Sequence, residues 1–561
     1  WIQTEAVATV NQQRRAAGLS PIVVEPEQLR LQTVAAWAAG CRGIGYWTQS
    51  SFESDEPGAI ERKLMLAQLN MESDLLEPWL ATGNPASQTP FTAQLPAVKK
   101  LNQLAVPGGN DPQSQKQRTA LGNDRKTQLA AREKISRDLE AAILHTDDGI
   151  LVLPVWYADD AQFVPGQMVA NDAKIVVPGV GDAARAWEIT TTDIILLDSP
   201  RVAGGKQITL KKFDLTTAVL FTDDESLVER VREKMKTLRE TSARVCLELA
   251  RAKFNRVVEV DRRLHERGKG QPDAADLIRT AKSLLDRSEA DWQRQEFHKS
   301  RQKSADCLQI LRILQHACWT EAVSRIYSPV TSPHTLCFQT LPDHWDMVAS
   351  HGRARHAGGK NLLRSGDFED IDTMVAEGWK HEQVEIAGVR AAAELYPKAK
   401  QGGYCLRLIA TPATGQDPPT VIGDRPVTVT TPPVTVYKGQ IVHISGWVKV
   451  AAPSLNNLDG AILYDSLGGY PSALRWRTKA DWQKFDLVRD ASETGELTIT
   501  LALTGLGEIC FDDLQIIPLE SDAGSPSPGD KPAATPSSNR GGAFDFLKKI
   551  PRFGGKTEPE Q

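Results

Sequence analysis

Two stretches near the end of the chain leave little freedom in what they can become. In Ile441-Val442-His443-Ile444-Ser445-Gly446-Trp447-Val448-Lys449-Val450, apolar and polar residues alternate. Val442, Ile444, Val448 and Val450 point one way, and His443, Ser445, Trp447 and Lys449 the other. Leu497, Ile499, Leu501 and Leu503 repeat the pattern, with Thr498, Thr500 and Thr504 facing outward. Pro432-Pro433, Lys438-Gly439, Gly468-Gly469 and Gly505-Leu506-Gly507 punctuate the runs as turns. Short strands of period two, separated by Gly and Pro and free of helical pattern, predict a β-sandwich over 361–519.

At 561 residues the chain exceeds what one hydrophobic core supports, so several domains are expected. A net charge of -5 carries no electrostatic footprint for nucleic acid. No apolar run approaches the ~20 residues of a helical membrane span. The seven cysteines form no C-x-x-C pair and no metal-ligand spacing with histidine, which favours buried thiols. Cys405 and Cys510 share one module, and whether they pair depends on their Cα separation. Trp1 stands inside a strand pattern without an initiator methionine or signal peptide, so the chain reads as part of a longer protein.

Ahead of the sandwich the pattern changes several times. Residues 1–82 read as two strands, Trp1-Ile2-Gln3-Thr4-Glu5 and Arg42 to Thr48, alternating with helices over Pro26–Ala39 and from Ile60 to Pro78. Such alternation implies a parallel sheet. Residues 83–138 carry weak pattern and read as an exposed, partly mobile connector. Residues 139–222 look all-β, with Asp147-Asp148-Gly149 as a hairpin turn. Residues 223–328 read as a three-helix bundle entered through Thr222-Asp223-Asp224-Glu225, with mixed charges suited to a solvated face. Residues 329–360 form a linker, and the Ser/Pro/Gly-rich stretch 520–561 reads as a disordered tail. Within the tail, the apolar and basic island Phe544–Phe553 is a candidate docking peptide.

The opening Asn361-Leu362-Leu363-Arg364-Ser365-Gly366-Asp367-Phe368-Glu369, Gly378-Trp379, and the closing Phe511-Asp512-Asp513-Leu514-Gln515-Ile516 resemble the galactose-binding-like jelly rolls that serve secreted glycosidases as carbohydrate-binding modules. Trp1-Ile2-Gln3-Thr4-Glu5 and Gly43-Ile44-Gly45-Tyr46-Trp47 resemble the last two βα units of a (β/α)8 glycosidase barrel. The whole layout is similar to planctomycete-type bacterial proteins that pair such barrels with such modules. The fold class implied is multidomain: the C-terminal part of a (β/α)8 barrel, a β-sandwich, a three-helix bundle and a jelly roll.

The resemblance implies an exported, polysaccharide-binding protein, either a glycoside hydrolase or a non-catalytic cell-envelope protein with the barrel as scaffold. It places Glu5 as the nucleophile of a retaining hydrolase, whose acid/base partner would precede Trp1, and Trp47 as a sugar platform. It also implies no cofactor beyond a structural Ca²⁺ between Glu369 and Asp512, with Asp367 and Asp513 as substitutes. In the jelly roll, Trp447, Tyr464, Tyr470 and Trp476 are candidate stacking platforms, and Asp465 and Arg475 candidate partners for sugar hydroxyls. Trp379 and Trp482 are expected inside. The Asp465-Ser466-Leu467-Gly468-Gly469 turn is expected to face solvent.

Overall fold

The computed structural model describes residues 2–4, 8–48, 56–94, 139–156, 170–324, 326–354, 360–457 and 459–519. Glu5, most of the predicted connector, and the tail with its 544–553 island lie outside these residues. The chain divides into two compact units, residues 1–322 with 337–342, and residues 323–336 with 343–561.

In the first unit β1 (Ile2–Gln3) and β2 (Tyr46–Trp47) pair in parallel, as the alternation predicts. Helices α1 (Ala8–Ala16), α2 (Pro26–Ala38) and α3 (Ala59–Thr82) accompany them. A (β/α)8 barrel is not seen among the described residues; this two-stranded pair is their only parallel pairing.

The β-sandwich starts earlier than its sequence suggests. β3 (Asn84–Pro90) and β4 (Thr92–Gln94), inside the predicted connector, each close the edge of a sheet. Edge strands tolerate polar residues and proline because one side of the ladder needs no partner. Asn84-Pro85-Ala86-Ser87-Gln88-Thr89-Pro90 therefore pairs with a neighbour without showing strand periodicity. The hairpin β5 (Leu139–Thr146) and β6 (Gly149–Trp156) turns at Asp147-Asp148 as expected. With β7 (Ala170–Val177), β8 (Arg185–Ile189), β9 (Ile194–Leu197), β10 (Arg201–Val202), β11 (Gly205–Phe213) and β12 (Val219–Thr222) these form sheets ordered β3-β5-β6-β12-β8-β9 and β10-β11-β7-β4. Ile143 and Val152 of one sheet share a core with Ile175 and Ile208 of the other.

Three long helices follow, α4 (Glu225–Glu266), α5 (Ala274–Gln293) and α6 (Phe297–Val323). Asp224 is the N-cap of α4, its carboxylate accepting from the Ser226 amide at 2.8 Å. Part of their charge is not on a solvated face, contrary to the sequence reading. Lys253 of α4 is fully buried and donates to Glu27 of α2 at 2.6 and 2.7 Å. Arg256 forks between Glu25, at 2.7 Å, and Glu61 of α3, at 2.6 Å. Gln315 of α6 also donates to Glu25. Periodicity hides these cations because Lys253 and Arg256 lie three apart, on the same helix stripe as the apolar Val257 and Val260.

The second unit is a jelly-roll-like sandwich. Its strands are β13 (Lys380–Gln383), β14 (Val389–Tyr396), β15 (Cys405–Pro412), β16 (Val427–Thr430), β17 (Val434–Val436), β18 (Ile441–Leu455), β19 (Ala461–Asp465), β20 (Leu474–Trp476), β21 (Ala480–Asp490), β22 (Gly495–Leu497), β23 (Ile499–Leu503) and β24 (Leu506–Leu519). One five-stranded sheet runs β13-β16-β23-β19-β20 and the other β14-β15-β24-β18-β21; all pairings are antiparallel. The predicted inward residues Val442, Ile444, Val448, Val450, Leu497, Ile499, Leu501 and Leu503 form its core, with Trp379 and Phe368 packed edge to face at 5.4 Å. Trp482, expected inside, is only half-buried.

Candidate functional site

Strand register decides which side chains share a face. In the first sheet, Lys380, Thr430, Thr500 and Tyr464 stand opposite one another across β13, β16, β23 and β19. One row along, Glu382, Thr428, Ala502, Ile462 and Arg475 do the same and extend to β20. Side chains alternate between faces, and Val429, Leu501 and Leu463 of the intervening row belong to the core. The two outward rows are therefore the outer face of the sandwich, with the Thr430 and Thr500 hydroxyls 3.4 Å apart.

The loop after β19 folds back over this face. Ala473 packs on Ile462 and Ala502, with Tyr464 and Tyr470 half-buried against them. Gly469, at φ 65°, supplies the left-handed step that brings Tyr470 back. The two tyrosine rings meet edge to face at 5.9 Å. Arg425, from the loop before β16, lies 5.2 Å from the Tyr464 ring and 4.9 Å from the Tyr470 ring and donates to the Tyr464 hydroxyl at 2.7 Å. Arg475 lies 5.1 Å from the Tyr470 ring and binds Asp459 at 3.1 Å. The Tyr470 hydroxyl donates to the other Asp459 oxygen. Burial works to raise the Asp459 carboxyl, but the Tyr470 hydrogen bond and Arg475 outweigh it and hold the group below its ordinary range. Burial and the same carboxylate raise the Tyr470 phenol.

Of the sequence candidates, Tyr464, Tyr470 and Arg475 converge here. Trp476 does not: it points inward from β20 and packs edge to face on Phe485 and Phe511, each at 5.7 Å. Adjacent residues of a strand face opposite ways, so Arg475 on the outer face places Trp476 in the core. Asp465 is likewise buried rather than solvent-facing; it receives Arg489 at 2.8 Å and the amides of Leu467 and Gly468. Trp447 sits on β18 of the other sheet, with the Lys400 ammonium 4.7 Å from its ring. Trp47 belongs to the first unit, where its side chain is exposed. Arg425 and Asp459 carried no sequence signal: Gly423-Asp424-Arg425-Pro426 and Asn457 to Gly460 read as turns, and only the fold brings them together.

Glu369 and Asp512 are both bound to one loop. Glu369 accepts from the amides of Gly403 and Tyr404, at 2.8 and 3.3 Å, and Asp512 from those of Lys400 and Gln401, at 2.6 and 2.8 Å. Each carboxylate thus offers one oxygen to two loop amides, and among the described residues no group of three His, Cys, Asp or Glu is placed to hold a metal ion.

No protein-family model matches the chain, and no curated protein matches it. Solved structures similar to part of it include the CBM22-1 xylan-binding domain of Paenibacillus barcinonensis Xyn10C, at 16% identity over 29% of this chain and 97% of that one, with a TM-score of 0.18. A CBM4 structure shares 17% identity over 28% of this chain and 99% of that one, with a TM-score of 0.21. TmCBM61 in complex with β-1,4-galactotriose shares 15% over 28% and 98%, with a TM-score of 0.19.

Proposed function

We propose that the second unit is a carbohydrate-binding module whose ligand lies on the outer face of the β13-β16-β23-β19-β20 sheet. One observation carries this: Tyr464 and Tyr470 stand half-buried, braced by Arg425 and Asp459, beside the threonine hydroxyls of the same face. A pyranose has an apolar face that packs on an aromatic ring and hydroxyl edges that need polar partners. Held side chains lose little entropy on binding, which favours a preorganised site of this kind.

The buried carboxylates Glu25, Glu27 and Glu61 of the first unit are each ion-paired with Lys253 or Arg256. Retaining hydrolysis needs two carboxyls ~5–5.5 Å apart and available to substrate. A glycoside hydrolase activity, served by this module at an extracellular site, is the finer proposal, with Glu5 as its nucleophile.

The test is a glycan array probed with the whole chain and with Tyr470→Ala. Binding to a defined set of glycans that Tyr470→Ala abolishes supports the assignment. A chain that binds no glycan, or binds the same set after the substitution, contradicts it.

A further inference from the structure

Arg425 stands apart from Arg407, Arg475 and Arg489 of the same sandwich. Arg407 pairs with Glu394 and Glu508, Arg475 with Asp459, and Arg489 with Asp465. Arg425 is half-buried, yet among the described residues no carboxylate lies within 4.0 Å of it, and its one hydrogen bond goes to the Tyr464 hydroxyl. None of its nitrogens is a buried donor lacking a partner, so its remaining N–H groups face solvent. Its guanidinium is fixed beside two aromatic rings. Around those rings guanidinium groups outnumber carboxylates: Arg425 and Arg475, with Arg477 also acting on the carboxylate, face Asp459. The chain as a whole is negative, at -5, so this excess is local.

A guanidinium held against two rings, with its remaining N–H groups exposed, is preorganised to receive an anion. Sugar hydroxyls do not require it, because a neutral amide would serve them equally. A carboxylate or sulfate on the sugar does: guanidinium offers paired N–H donors in the geometry such groups accept, and charge-assisted bonds are about twice as strong as neutral ones. We propose that the tyrosine–arginine face takes an anionic saccharide, with Arg425 as the residue that receives its charged group and the tyrosine rings holding the pyranose beside it. This inference rests on the carbohydrate-binding assignment above and specifies its ligand class.

The experiment titrates the whole chain with oligogalacturonate, with the same oligomer after reduction of its carboxyl groups, and with a sulfated galactan beside its desulfated form. Arg425→Gln and Arg425→Lys are measured in parallel, with circular dichroism as the folding check. The expected result is at least roughly tenfold tighter binding of a charged member than of its neutral counterpart. That preference is expected to weaken as salt is raised, to vanish in Arg425→Gln and to survive in part in Arg425→Lys. Preference within the carboxylate pair identifies a uronate, and within the sulfate pair a sulfated sugar; both support the inference. Equal binding of charged and neutral members, unchanged in Arg425→Gln, overturns the anionic ligand and leaves the carbohydrate assignment standing. Binding to none of the four overturns the anionic ligand, and binding to nothing on the glycan array overturns the carbohydrate assignment as well.

Discussion

Arg489 shows how much a single residue can hold in this fold. It is 1% exposed and donates to Asp465 and to the carbonyls of Val330, Thr331 and Ser472. Replacing it with methionine leaves Asp465 as a buried, unpaired carboxylate, which typically costs about 3–5 kcal/mol. Chemical denaturation of Arg489→Met is expected to show that loss. A matched Arg489→Met, Asp465→Leu double variant is expected to recover much of it. Trp476→Ala removes a ring packed on Phe485 and Phe511 and is expected to cost about 3–5 kcal/mol of stability. A fully stable Trp476→Ala protein would contradict its place in the core.

At the scale of elements, legibility followed the kind of signal. Strand β18 is readable because one face is buried and the other is not, which writes the period directly into the residues; in β23 the alternation of Thr with Leu and Ile carries the period although both faces are buried. Trp476 was misjudged because β20 is three residues long and holds too little alternation to fix its facing. Arg425 and Asp459 were invisible, since loop residues distant in sequence carry no mark of their future neighbours. The loop around Lys400 to Tyr404 is a similar case: its amides are fastened by Asp512 and Glu369 from distant segments. Asp512→Ala removes two amide acceptors and is expected to raise hydrogen exchange at Lys400 and Gln401, with a loss of about 1–3 kcal/mol. Unchanged protection at those amides would contradict this role.

Across the whole molecule, the first unit carries its own acid sensitivity. Burial pushes the Glu25 carboxyl up, but Arg256 and Lys253 overcome it and hold the group at about 2, below its ordinary 4.5. A depressed folded-state value means the stabilisation is complete above the unfolded value and lost as pH falls through the folded one. The first unit is therefore expected to lose stability as pH falls from about 4.5 towards 2 and Glu25 takes up a proton. Glu25→Gln is expected to lower stability at pH 7 and to flatten that acid limb; an unaltered pH profile would argue against the buried network.

The carbohydrate assignment depends on which face does the binding, and calorimetric titration of one array-identified glycan against three variants decides it. Packing against one aromatic ring is worth up to about 1.5 kcal/mol, so Tyr464→Ala and Tyr470→Ala are each expected to weaken binding about tenfold. Trp447→Ala, on the opposite sheet, is expected to leave it unchanged. Loss of affinity in Trp447→Ala with both tyrosine variants binding normally would contradict the account.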